Sequence, residues 1–123
     1  EVTFFDWTNA TWDDPLSDLG YLSLLSNMSK EQERGLLSAY FGRLPTTAEL
    51  HELDEVKRRV CLLAATIWLR CWGGKEPPDE RLSSPSLPKA EEYLRSGTVV
   101  NPYTSSKEAV LDYGLSFYRA YLE

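Results

Sequence analysis

A single histidine, His51, and two cysteines, Cys61 and Cys71, are all that the 123 residues offer to a soft metal ion. There is no Cys-x-x-Cys, and no second histidine follows His51 at helical spacing. These absences exclude a zinc finger and a zinc-protease motif. His51 reads instead as a surface histidine in the first turns of a long helix. Both cysteines fall on that same helix, and at about 1.5 Å of rise per residue they stand roughly 15 Å apart. A disulfide tolerates only about 7 Å between Cα atoms, so free thiols and a reducing, cytoplasmic setting are expected.

Positive charge is also scarce. Thirteen Lys and Arg face nineteen Asp and Glu, a formal charge of −6, which argues against a nucleic-acid partner with its demand for clustered cations. The longest apolar run, Val60 to Leu69, lies between Arg58-Arg59 and Arg70. It is about half of the ~20 residues a membrane span needs, so no membrane partner is expected. The chain has no Gly-rich phosphate loop, no His-x-Asp-x-x-x-x-Asn catalytic loop and no Gly-x-Ser-x-Gly nucleophile turn. It begins at Glu1 without a basic-then-apolar leader, and residues 1–123 read as one domain-sized piece of a longer protein.

What is present is helical patterning with clear start and stop signals. Asp14 and Pro15 suit the cap and first position of a helix reaching Asn27, with Leu16, Leu19 and Leu22 as its stripe beside Tyr21 and Leu25. Ser29 with Gln32 makes a capping box for a second helix that Gly42 stops. Thr46 with Glu49 makes another, opening a long helix from about Ala48 to Trp72. Its apolar positions recur at three and four through Leu50, Leu53, Val56, Val60, Leu63, Ile67 and Cys71. From Val60 onward it is apolar nearly all round, which predicts a central buried helix. Lys75 to Pro88, rich in proline and serine, predicts a surface loop. A short helix is expected from about Pro88 to Ser96, and Ser105 with Glu108 makes a third capping box, opening a last helix to about Leu122.

One short strand is expected, Val2 to Phe5, delivering Asp6 to its end. An acid at a strand end can hold a metal, because the strand fixes the carboxylate while the following loop leaves room for a ligand. The plainer alternative is a strand-loop-helix whose Asp caps a turn. The only other strand candidate, Thr98-Val99-Val100, is weak, so Val2–Phe5 would need a partner upstream or in a second molecule. Homo-oligomerisation through this strand is therefore open.

Phe4-Phe5-Asp6-Trp7 followed by Asp14-Pro15-Leu16-Ser17-Asp18-Leu19 resembles the metal-binding segment of the choline kinase and aminoglycoside phosphotransferase superfamily, which shares the protein-kinase-like fold. The resemblance implies the C-terminal helical subdomain of such a phosphotransferase, mainly α with one N-terminal strand. It implies that Asp6 ligates Mg2+ on the phosphates of ATP, and that Asp18 is a buried acid supporting the catalytic-loop backbone. Thr8 stands where the family often has Glu, leaving a metal site there one charge poorer. Ala39-Tyr40-Phe41-Gly42, Trp68 on the long helix and the closing Leu111 to Tyr121 continue the likeness more loosely. The stretch from Gly73 to Thr104 has no counterpart in it.

Choline kinases hold a quaternary ammonium in an aromatic box, and here Trp68, Trp72 and Tyr113 are the candidates for it. Trp68 and Trp72 share a helix face at i and i+4, where the family's tryptophans are usually three apart. The alternative is that both simply pack the core. Asp13 and Asp14 would favour a cationic substrate electrostatically, or else cap and solvate a helix start. The parent protein would thus transfer the γ-phosphate of ATP to choline or a related amino alcohol, with an aminoglycoside-type acceptor as the second choice. This piece, without nucleotide lobe or catalytic loop, is expected to be inactive alone. A non-catalytic all-α interaction module and a degenerate kinase-like binder are the competing readings.

Overall fold

The structure is a computed structural model that describes residues 15–74 and 79–123. Among the described residues six helices run in the order α1 (Pro15–Leu25), α2 (Lys30–Phe41), α3 (Thr47–Trp72), α4 (Asp79–Leu82), α5 (Ala90–Ser96) and α6 (Lys107–Leu122). No strand occurs among the described residues, so the chain is mainly α. The predicted strand Val2–Phe5 and the cap Asp14 lie outside the described residues, whereas Thr98 to Val100 is irregular.

The axis of the fold is α3, 26 residues long and so about 39 Å from end to end. Two of the three predicted capping boxes form. Ser29 accepts from the Gln32 amide while Gln32 accepts from Ser29, and Thr46 and Glu49 do the same for α3. Gly42 and Gly73, in the left-handed region at φ 66° and 76°, stop α2 and α3. Arg43 and the Thr46 amide bond the Glu49 carboxylate and hold its pKa down at about 2, so the box stays charged well into acid.

Packing along α3 divides into two cores. Toward its start, Leu53, Val56 and Val60 join Leu16 of α1 and Leu37 of α2, all buried. α1 reaches this close because Gly20 faces Val56, where a Cβ would overlap the valine. Toward its end, Cys61 and Ala65 meet Phe117 of α6 and Ala90 of α5. Gly114 allows that crossing, since a Cβ there would stand 3.0 Å from Leu69. Either cysteine is a free thiol, and burial raises the Cys61 pKa.

Several expectations are corrected. The first helix ends at Leu25 rather than Asn27, which takes a positive φ of 48° in the turn. α6 is capped by Ser106, whose hydroxyl accepts from the Ala109 amide, not by Ser105. Ser105 instead accepts from the Asn101 amide in the preceding turn, so the capping-box spacing was offset by one residue. The described part of the Pro/Ser-rich segment, Asp79 to Pro88, lies mostly at the surface but is not an irregular loop throughout. It contains α4, buries Leu87, and is tied to α6 by Arg119, which donates to the Leu87 and Pro88 carbonyls, and by Ser116 donating to Pro88. The second half of α3 is not buried all round: Leu63 and Ile67 are 48% and 44% exposed, because among the described residues α1 and α6 cover two of its faces and no element covers the third. Tyr21, Leu22 and Leu25 of α1 are likewise exposed.

Candidate functional site

The sequence-predicted site residues separate into three groups. Asp6, the expected metal ligand, lies outside the described residues. Asp18 is exposed in the first turn of α1. That differs from the buried acid implied by the family resemblance, and nothing among the described residues covers it. The aromatic trio divides. Trp68 and Tyr113 meet with ring centroids 5.0 Å apart although 45 positions separate them, whereas Trp72 makes no ring contact with either among the described residues. The Trp72 indole instead folds back over Gly74, whose lack of a Cβ leaves room for it.

Trp68 and Tyr113 belong to a larger aromatic cluster where α3, α5 and α6 converge. Tyr113 also touches Tyr93 of α5 at 4.8 Å, edge-on, and Phe117 one turn further along α6 at 4.9 Å. The Trp68 indole N–H donates to the Val100 carbonyl at 2.9 Å, which fixes the ring and pins the chain between α5 and α6. Phe117 is buried, while Trp68, Tyr93 and Tyr113 are half-buried. Burial raises the Tyr113 pKa, and burial followed by the Asp112 charge raises that of Tyr93. Both phenols therefore remain neutral at physiological pH.

Asp112 precedes Tyr113 and completes the cluster's polar edge. Arg81 of α4 grips it with two bonds, Nε to Oδ1 at 2.8 Å and Nη2 to Oδ2 at 2.6 Å. This bidentate arrangement orients both groups and engages both carboxylate oxygens. Any attraction for a cation at this edge therefore rests on the ring faces. Lys107 donates to the Cys71 and Trp72 carbonyls at the end of α3, placing a cation against the negative helix terminus.

Tyr93 was missed from the sequence because its helix is too short to show a periodicity. Phe117, at i+4 from Tyr113, was legible as a buried position of the last helix but not as a ring partner. Among the described residues no group of three or more His, Cys, Asp or Glu is placed to hold a metal ion, and no helix is long and apolar enough to cross a membrane. No family model matches the chain, and no curated protein or solved structure is significantly similar to it.

Proposed function

We propose that the chain is the C-terminal helical part of an ATP-dependent small-molecule kinase whose acceptor is choline or a related amino alcohol. The observation that carries this reading is the half-open cluster of Trp68, Tyr93 and Tyr113. Ring faces attract a quaternary ammonium by about 0.5–1 kcal/mol per exposed contact, and two neutral phenols with an indole are suited to it. Asp6, in its Asp-Trp context, would hold Mg2+ on the nucleotide. Among the described residues no group of three or more His, Cys, Asp or Glu is placed to join it. The aminoglycoside-type acceptor is the alternative within the class. Trp72, turned onto Gly74, is left out of the box.

Titration of the chain with choline and with its neutral isostere 3,3-dimethyl-1-butanol tests the reading through Trp and Tyr NMR signals. Choline is expected to shift Trp68, Tyr93 and Tyr113, with the isostere at least tenfold weaker and Tyr113→Leu abolishing the response. Equal response to both compounds would remove the cation–π basis. In the parent protein Asp6→Ala is expected to abolish ATP-dependent phosphorylation of choline. The second reading, a helical interaction module without turnover, is favoured by the apolar side chains left exposed on α1 and α3.

A further inference from the structure

Arg81 and Asp112 meet across 31 positions of chain, at the edge of the ring cluster. Arg81 belongs to α4 in the Pro/Ser-rich segment, and Asp112 stands one position before Tyr113 on α6. The guanidinium closes on both carboxylate oxygens, at 2.8 and 2.6 Å, and the Asp112 side chain is left only 15% exposed. Both charges reach the rings: beyond burial, the largest cause, Asp112 raises the Tyr93 pKa and Arg81 lowers it. Two other acids lie nearby. Glu92 is the weakest of the influences on Tyr93, and Glu108 stands 3.8 Å from Arg81 with 81% of its side chain exposed. Both are solvated at the surface, where water screens them. The one carboxylate tucked against the rings is thus the one already engaged.

Resting on the amino-alcohol reading above, we propose that Arg81 is a specificity-determining positioning residue: by holding Asp112 it makes the cluster accept a quaternary ammonium alcohol and reject a primary one. A primary ammonium is a compact, strongly hydrated charge with three N–H donors. Against ring faces those donors lose water and find no acceptor, which opposes binding. A quaternary ammonium has no N–H to satisfy, and its methyl surface and charge both suit the rings. A free carboxylate beside the rings would reverse the balance, because it accepts charge-assisted bonds from a primary ammonium and none from a quaternary one. Arg81 removes that acceptor without removing the aspartate. An aminoglycoside-type acceptor, which presents primary ammonium groups, is disfavoured by the same argument.

Choline and ethanolamine, of equal charge at neutral pH, are titrated into the whole chain and followed through the Trp68, Tyr93 and Tyr113 NMR signals. In the wild type choline is expected to bind about tenfold more tightly than ethanolamine. In R81Q the freed Asp112 should bring the two within about threefold. Loss of the guanidinium's repulsion raises both affinities alike, so the ratio is the readout. In R81Q/D112N the ratio should return to about tenfold, a reversal that a purely structural role for Arg81 would not produce. R81K, whose ammonium pairs as a point charge rather than a fork, should give a ratio between wild type and R81Q, and it carries the test where R81Q loses its Tm. Equal binding of the two compounds by wild type, a ratio unchanged in R81Q and R81K, or no reversal in R81Q/D112N overturns the inference and leaves the amino-alcohol reading standing. No response to either compound removes the ring cluster as a cation site, and both readings with it.

Discussion

The two ends of α3 are packed by different chemistry. Its first half meets α1 and α2 through aliphatic side chains, Leu16, Leu37, Leu53, Val56 and Val60, around one buried charge. Glu33 of α2 is 1% exposed. It accepts from the Ser23 hydroxyl of α1 at 2.7 Å and from the Lys57 ammonium of α3, and it pairs with Lys30 at 3.1 Å. The second half meets α5 and α6 through rings and small residues, with its ion pair, Arg81 to Asp112, at the rim. A buried carboxylate fixes how three helices are registered, because each partner must arrive at the right oxygen. A ring cluster with half-open faces fixes position less tightly and leaves surface available to a ligand. The first half is therefore built for registry and the second for recognition.

Truncation of the large core side chains gives the largest expected effects. Phe117→Ala should cost about 3–5 kcal/mol and Leu37→Ala about 2–5 kcal/mol, both measured by urea unfolding. Near-UV circular dichroism from Trp68 and Tyr113 should be lost first in Phe117→Ala. If Leu37→Ala loses that signal at the same denaturant concentration, the two halves unfold as one cooperative unit and the distinction is only local.

Glu33→Gln addresses registry directly. Removing the charge leaves Lys57, only 20% exposed, without its partner, and a loss of about 1–3 kcal/mol at neutral pH is expected. Burial by itself would raise the Glu33 pKa, but the bonds from Lys57, Ser23 and Lys30 outweigh it and hold the carboxyl below its ordinary 4.5. A folded-state pKa below the unfolded value means stability that is present above about pH 4.5 and lost as pH falls through the folded value. The wild-type Tm should fall on acidification from about pH 5, and Glu33→Gln should flatten the first part of that fall. Glu49, whose pKa is about 2, would still supply a slope below it. An unchanged acid profile in the variant would remove Glu33 from its place as the registry charge.

The smallest effect distinguishes two neighbouring serines. Ser106→Ala should cost about 1 kcal/mol as the loss of an N-cap, and Ser105→Ala no more than about 0.5 kcal/mol, compared by thermal melting. The reverse order would restore the capping box at Ser105 and Glu108.

Much of this architecture was legible along the chain. Ser29 with Gln32 and Thr46 with Glu49 mark helix starts because a cap and its reciprocal partner lie within one turn, a purely local geometry. Gly42 and Gly73 mark ends for the same reason. Ser105 misled because two adjacent serines offer nearly the same pattern, and the hydrogen bond from the Asn101 amide chooses between them. Leu63 and Ile67 share the helical period of the buried positions, and periodicity cannot say how many faces of a helix acquire neighbours. At the candidate site Trp68 and Tyr113 were named from the sequence and do meet. Trp72 was named with them, yet its ring turns to Gly74, and Tyr93 carried no signal at all.

The sequence by itself determined the helical class, the limits of α2 and α3, the free thiols and the lack of a long apolar span, since each depends on residues within a turn or on composition alone. Only the tertiary structure decided which face of α3 stays open, that Arg119 and Ser116 fasten the Pro/Ser-rich segment to α6, and that Tyr93, Trp68 and Tyr113 share one cluster. Those outcomes join residues tens of positions apart, and close helix crossings at Gly20 and Gly114 set the distances between them.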